Sequence, residues 1–380
     1  MNILHLLSWF PTPDDPTLGN FCVRMIDALP EDCHSTILSV CDGHNMSQSF
    51  ELKEIPGLHH THLQIYIRPP KNKVLRKLKM LRMYQYGLKY LRKKGFTPDL
   101  IHLHVTYPLG QLALLWHTLY GYPYVLTEHW TIYQPQNKHV LVGRLKRMIV
   151  NIANHASVIM PVSLDLQRCM EGHGIHNHYQ VIYNLVNTKL FRLGEPDHTK
   201  QKKRLLHIST LRDEAKNFSG ILRTIERLRN IRNDFELHVI HDYEALEFKA
   251  FVREHHLTDC VIFEGKKTSE EVAQAFSETD FFVLFSNFEN LPCVIVEAFA
   301  SGVPVLTTDV GGIAEIVSPE RGILIKAEDE EALLKGMVQM LDTSQDYDRK
   351  AIRQYAITTF SVEKIGSQIF EQYQNVVKTR

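Results

Sequence analysis

The sequence predicts an α/β protein made of two doubly wound parallel-sheet domains. Three observations predict it. The chain has 380 residues, more than one hydrophobic core usually serves. Short β-branched or apolar runs alternate with helical stretches along it, the pattern of parallel strands joined by crossover helices. The alternation pauses once, in a polar, basic-flanked stretch over 194–204, which separates two sets of strands.

The first set reads 2–7, 35–40, 100–104, 124–127 and 157–162; the second reads 205–209, 237–241, 261–264, 281–285, 303–307 and 322–325. Between the second and third strands, residues 71–94 place Val74, Leu75, Leu78, Leu81, Tyr84, Leu88 and Leu91 at helical spacing, with Lys and Arg on the other positions. This predicts a basic amphipathic helix. The expected division is a first domain over 1–183, a second over 184–360, and a terminal helix over 361–380 carrying Val362, Ile365, Ile369, Tyr373 and Val377 at helical spacing. In such sheets ligands bind beyond the carboxyl ends of the strands, so two facing sheets are expected to place a cleft between the domains.

With 44% apolar and 23% charged residues, the composition is that of an ordinary globular chain. Forty-three basic residues balance forty-three acidic ones, which excludes a nucleic-acid-binding tail and a disordered charged tract. The balance conceals an asymmetry, because residues 1–183 hold 18 Lys+Arg against 12 Asp+Glu while the rest hold 25 against 31. Eleven of the basic residues fall within 68–94, with no acidic residue among them. That segment reads either as a solvated cationic face or as a surface for anionic lipid. The N-terminus lacks a basic n-region, and every apolar run breaks before the ~18 residues that span a bilayer. The expectation is a cytoplasmic protein, peripheral at the inner face of the cytoplasmic membrane where the basic segment docks.

The six cysteines form no C-x-x-C pair, which argues against a disulfide framework or a cysteine-based zinc site and predicts buried thiols. The histidine clusters His59, His60, His62 and His173, His176, His178 show no ligand spacing with a helical rationale and read as solvated loop histidines.

Chemistry concentrates in 286–317, SNFENLPCVIVEAFASGVPVLTTDVGGIAEIV. It reads as a strand end, a loop holding Glu289, a helix begun at Pro292 and stopped at Gly302, another strand, and a Gly311-Gly312 turn. Seven residues separate Glu289 from Glu297, so one carboxylate lies in the loop and the other within the helix. The two can accept hydrogen bonds from different hydroxyl pairs of one extended ligand. Backbone N–H groups at the helix start, from Asn290 and Leu291 to Cys293 and excepting Pro292, favour an anion between them. A nucleotide sugar has that pattern of diol, diphosphate and diol.

E-N-L-P-C-V-I-V-E resembles the E-x7-E motif of glycosyltransferase family 4, retaining enzymes with two facing Rossmann-like domains, the GT-B fold. The resemblance extends over essentially the whole chain. Residues 181–191, VIYNLVNTKLF, resemble the family's V-I-P-N-G-V-D-x-x-x-F, departing at Tyr183, Leu185 and Asn187. In LHISTLRDEAKN, Lys216 falls on the lysine that neutralises the donor diphosphate, while Ser209 and Thr210 stand where the family has Gly-Arg. Arg212, two positions on, is the candidate replacement. P-T-L-G-N-F over 16–21 resembles the loop beside the donor phosphates and acceptor, with Gly19 on one of its glycines. D-L-I-H-L-H ends at His104, and T-E-H-W places Glu128 and His129 just past a strand, where the family has a histidine near the transferred sugar.

The resemblance implies a retaining, metal-independent transferase that moves a hexose from a nucleotide diphosphate sugar, UDP-linked ahead of GDP-linked, to a glycan or lipid-linked hydroxyl. Glu289 would hold donor-sugar hydroxyls and Glu297 the ribose, with His129 at the sugar and His104 and Glu128 on the acceptor side. No cofactor is expected and no metal, since no D-x-D motif stands at a strand end. The last helix is expected to cross back to the first domain. The expected partners are the nucleotide sugar, the acceptor and an anionic membrane, with no nucleic acid; monomer and homodimer both stay open. The same scaffold also suits a nucleotide-sugar 2-epimerase, or a non-catalytic carbohydrate-binding protein.

Overall fold

The computed structural model describes residues 1–10, 19–43, 46–195 and 201–379. The chain divides into two units, one formed by 1–183 with 365–380 and the other by 184–364. In the first unit the strands are β1 (Asn2–Leu7), β2 (His34–Asp42), β3 (Phe50–Pro56), β4 (His60–Ile67), β5 (Leu100–His104), β6 (Tyr124–Glu128) and β7 (Val158–Pro161). Its helices are α1 (Asn20–Asp27), α2 (Lys73–Lys93), α3 (Gly110–Tyr120), α4 (Gly143–Asn154) and α5 (Leu164–Gly172). The second unit has β8 (Lys203–Ser209), β9 (Phe235–His241), β10 (Val261–Gly265), β11 (Phe281–Leu284), β12 (Val305–Thr308) and β13 (Gly322–Ile325). Its helices are α6 (Asp213–Lys216), α7 (Phe218–Arg229), α8 (Leu246–Glu254), α9 (Ser269–Ser277), α10 (Cys293–Ala300), α11 (Ile313–Ile316), α12 (Glu330–Thr343) and α13 (Arg349–Phe360). The last helix, α14 (Val362–Lys378), belongs to the first unit from Ile365 on.

The first sheet runs β3-β4-β2-β1-β5-β6-β7 and the second β10-β9-β8-β11-β12-β13. Every pairing is parallel except β3 with β4. Strand order therefore reverses between β1 and β5 in one sheet and between β8 and β11 in the other, and such switch points are where α/β sheets receive ligands. Helices cover both faces. Leu103 meets the α3 backbone at Gly110, whereas its neighbour His102, on the opposite face of the pleat, bonds Tyr373 of α14. In the second unit Val283 joins the core under α7 and α12, while Phe282 packs on Phe276 of α9.

Each predicted strand is present to within two residues at either end. The β3–β4 hairpin is the exception, since the sequence reading places no strand there. β3 is a mostly exposed antiparallel edge with charges on both faces, and β4 opens with the polar run His60-Thr61-His62. Consequently the loop reading of the first histidine cluster holds for the exposed His59 and fails for the other two: His62 is buried with its Nε2 2.7 Å from the Ser39 hydroxyl, and His60 pairs with Asp27 at 2.8 Å. In the other cluster His173 caps α5 and its Nε2 lies 3.1 Å from the Tyr133 carbonyl. The cysteines are free, but only Cys22, Cys33 and Cys260 are buried; Cys41, Cys169 and Cys293 are half-buried.

The basic helix forms over Lys73–Lys93, started by the Asn72 side chain accepting from the Val74 and Leu75 N–H groups at 2.9 and 3.2 Å. Its apolar stripe is split. Tyr84, Leu88 and Leu91 are buried, whereas Val74, Leu75 and Leu78 are 67, 55 and 54% exposed. Among the described residues no helix is long and apolar enough to cross a membrane.

Candidate active site

In the second unit, the loops after β8 and β11 meet beside the switch point. After β8 the chain turns through Thr210 and Arg212 into the single-turn α6, which ends at Lys216; Asn217 closes it in the left-handed region at φ 45°. After β11 comes the loop to Pro292, holding Glu289, and then α10, holding Glu297. Lys216 Nζ is ion-paired to Glu289 Oε1, which also accepts the Ser286 hydroxyl at 2.8 Å. Glu289 is 9% exposed and Glu297 6%.

The two loops are locked to each other. The Asn287 N–H and side-chain amide donate to the Ala215 and Glu214 carbonyls at 2.8 and 3.0 Å. Around Glu289, Thr308 donates to the Ser286 carbonyl, Gly312 N–H to the Asn290 carbonyl, and Asn184 to the Leu291 carbonyl, at 2.6 to 2.7 Å. Gly311 has φ +56°, and a Cβ there would lie 2.0 Å from the Glu289 carbonyl oxygen. Only glycine permits that approach.

Two readings of this region change. Pro292 is the N-cap of α10, with ψ 124°, and the helix begins at Cys293; an extended N-cap suits proline as well as the first helical position does, since neither donates an N–H. Ser209 is committed to its own turn, its hydroxyl accepting the Leu211 N–H at 3.0 Å and lying 2.8 Å from His207 Nε2. Thr210 and Arg212 are exposed, and Arg212 makes no ion pair among the described residues.

In the first unit the corresponding loops follow β1, β5 and β6. Gly19 starts α1 at φ 69°, with room for a Cβ denied by the Trp9 carbonyl at 2.3 Å. Pro16, Thr17 and Leu18 of the P-T-L-G-N-F segment lie outside the described residues. Parallel pairing brings His5 beside His102 and Leu7 beside His104. His102 and His104 stack at 3.8 Å between ring centroids. The nitrogens of His102 lie 2.5 Å from the Tyr373 hydroxyl and 2.7 Å from that of Thr127. His104 Nε2 lies 3.3 Å from His5 Nδ1, whose ring reaches the Ser35 hydroxyl at 3.1 Å.

His129 packs on Phe21, ring centroids 4.4 Å apart. Burial pushes His5 and His129 down to about 3 and His102 and His104 well below the usual imidazole value, so all four are neutral at pH 7. Glu128 is fully buried and receives five hydrogen bonds, from the Thr106 N–H and hydroxyl, the His129 and Trp130 N–H groups and the Tyr133 hydroxyl, at 2.6 to 3.0 Å. It holds the turn that carries His129. Burial raises its carboxyl above the usual range while those donors pull it back. Among the described residues two trios bring potential metal donors within 4.8 Å of one another: His5, His102, His104 and Cys22, His104, His129.

The structure thus joins Lys216 to Glu289 in one unit and sets Gly19, His104, Glu128 and His129 at adjacent strand ends in the other. Asn287 and His5 are additions that no sequence spacing marks, because they act through contacts between loops or strands far apart in the chain, whereas Ser286 reaches Glu289 three residues on within one loop.

Two family descriptions match the chain in succession: "Glycosyltransferase Family 4" over residues 18–190 and "Glycosyl transferases group 1" over 202–343. TuaC of Bacillus subtilis (strain 168), a glycosyltransferase named for teichuronic acid biosynthesis, is 26% identical over 77% of this chain and 74% of its own length. The N-acetyl-alpha-D-glucosaminyl L-malate synthase of Bacillus anthracis is 25% identical over 74% of this chain and 75% of its own. Among solved structures, Anabaena HepE in complex with UDP superposes with a TM-score of 0.75 at 18% identity, covering 99% of this chain and all of that one. The successive family matches, the two parallel-sheet units and the shared GT-B fold have one reading: the chain belongs to the family 4 glycosyltransferases.

Proposed function

We propose that this glycosyltransferase moves a hexose from a UDP-linked donor, with retention of configuration, to a hydroxyl of a glycan or lipid-linked acceptor, and does so without a bound metal. The observation that carries the reading is the Lys216–Glu289 pair at the carboxyl ends of β8 and β11, with Glu297 on the helix that follows. UDP is favoured because the similarly folded HepE was solved with it. The 2-epimerase reading is not favoured, since the relatives named above are a glycosyltransferase and a glucosaminyl malate synthase.

Retentive transfer exchanges diphosphate for acceptor oxygen on the same face of the sugar through an oxocarbenium-like state. The protein has to stabilise charge on the departing diphosphate and to orient both reactants. Lys216 supplies the charge, and the exposed guanidinium of Arg212, without an ion pair among the described residues, is available at the same turn. An incoming diphosphate competes with Glu289 for Lys216, which releases the Glu289 carboxylate to accept sugar hydroxyls while Glu297 takes the ribose diol. The departing phosphate accepts the proton of the acceptor hydroxyl, so no separate base is required. The neutral His129 serves as a hydrogen-bond partner for the sugar.

A turnover screen of UDP-, GDP- and ADP-sugars with a lipid-linked or oligosaccharide acceptor tests this. A UDP-hexose should be consumed with free UDP released and an axial product linkage retained, equally fast in EDTA. Consumption only of another nucleotide, or loss of turnover on chelation, would sink the corresponding part of the proposal. Epimerised free sugar formed without acceptor would restore the alternative.

A further inference from the structure

We infer that the first unit contains a binding site for a divalent transition metal of the zinc class, formed by Cys22 of α1, His104 at the end of β5 and His129 just past β6. Their donor atoms lie within 4.8 Å of one another, and all three residues are buried. Around a tetrahedral zinc ion, bonds of about 2.0–2.1 Å to nitrogen and about 2.3 Å to sulfur set donors roughly 3.3–3.7 Å apart. The ion therefore needs to draw these donors together by little more than about 1 Å.

A second observation points the same way. His104 Nδ1 is fully buried and has no hydrogen-bond partner among the described residues. Its other nitrogen faces His5 Nδ1, and His5 Nε2 faces the Ser35 hydroxyl. If His5 donates to Ser35, it must accept from His104 Nε2–H, which leaves the His104 Nδ1 lone pair aimed away from the relay. A histidine that binds metal through one nitrogen while donating the other N–H to a fixed acceptor is the usual arrangement of a metal site.

The donor set is one thiolate and two imidazoles with no carboxylate, which suits zinc and disfavours magnesium or calcium. Three protein ligands leave the fourth position open to water. The rival trio of His5, His102 and His104 is less suited, because both nitrogens of His102 are already engaged by the Tyr373 and Thr127 hydroxyls.

The test is titration of the chelator-stripped full-length protein with Co2+, whose bonds to thiolate give a charge-transfer band in the near ultraviolet. One equivalent should produce the band, and Zn2+ should displace it. Cys22→Ser should abolish the band and weaken zinc binding at least ~10-fold, the order seen for lost interactions at metal sites. His104→Gln, checked for native circular dichroism, should do the same to affinity. Cobalt binding without the thiolate band in the wild-type protein, or zinc affinity unchanged in Cys22→Ser, overturns the site. On the reading proposed above, His129 also meets the donor sugar, so bound zinc should stop transfer and EDTA restore it. A thiolate band with unimpaired transfer would instead remove His129 from the sugar and leave the metal site standing.

Discussion

Lys216 and Glu289 neutralise each other where neither charge is fully hydrated, and on the proposed mechanism a diphosphate arriving there would trade one counter-charge for another. If Lys216 meets the developing diphosphate as proposed, Lys216→Met removes that charge and kcat/KM should fall roughly 10²- to 10³-fold, the usual loss for one preorganised stabiliser of transition-state charge. The melting temperature should also fall, because the buried Glu289 carboxylate keeps its bond from Ser286 but loses its counter-charge. A variant with wild-type turnover would take Lys216 out of the reaction. Gly311→Ala tests the framework: its Cβ would meet the Glu289 carbonyl at 2.0 Å from a φ of +56°. Positive φ alone costs about 1 kcal/mol for alanine and the collision adds to it, so urea unfolding should show a loss of about 2 kcal/mol or more. An unchanged midpoint would mean that the turn moves aside freely. At this scale the charged residues were legible because E-x7-E and the lysine after β8 are local patterns. Asn287 was not, since its partners are two backbone carbonyls in a loop whose meeting with its own depends on β8 lying next to β11.

The helix α2 shows how an element's sequence pattern can be right about its form and incomplete about its environment. Heptad-like spacing predicted one continuous apolar stripe, and the helix formed, but only its second half is covered by the sheet, where Gly87 lets it approach Leu38 and Ile65. The first half leaves Val74, Leu75 and Leu78 exposed beside Lys73, Arg76 and Lys77. Apolar side chains ringed by cations are complementary to an anionic lipid surface, where each basic residue contributes about 1 kcal/mol and the apolar ones insert. Vesicles rich in anionic phospholipid should therefore carry the protein in flotation at low salt and release it at high salt. Lys73→Gln with Lys77→Gln should weaken partitioning by roughly 30-fold, at about 1 kcal/mol per charge. Equal binding to neutral vesicles, or none to anionic ones, would reduce the segment to a solvated face. The edge strand β3 was illegible for a related reason: periodicity reports which face is buried, and a charged strand with almost no buried face has no period to read, while the buried β4 opens with the polar run His60-Thr61-His62.

At the scale of the whole molecule, alternation of strand and helix made the fold class legible, because each unit repeats one local rule. What that rule does not convey is how differently the two units respond to acid. The first unit buries His5, His62, His102, His104 and His129, all held below the usual imidazole value by desolvation, with His5 and His129 near 3 and His62 near 4. In the second unit, among the described residues, His207 alone is shifted in this way, to about 4. An unfolded histidine binds a proton near pH 6.5, whereas these buried ones stay neutral until the pH is far lower. Stability is therefore complete above 6.5 and declines as pH falls from there toward the folded values, by about 1.4 kcal/mol per pH unit for each such histidine. The raised carboxyl of Glu128 acts in the opposite sense as it protonates, but it is one group against five. Hydrogen exchange read by mass spectrometry at pH 7.5 and 5.5, corrected for intrinsic rates, should show β1, β5 and β6 losing far more protection than β8 and β11. Replacing His5 with Asn removes one titrating group and should flatten the slope for the first unit by about 1.4 kcal/mol per pH unit. If instead the second unit opened first, or both lost protection equally, desolvation of the histidine cluster could not be what limits the protein in acid.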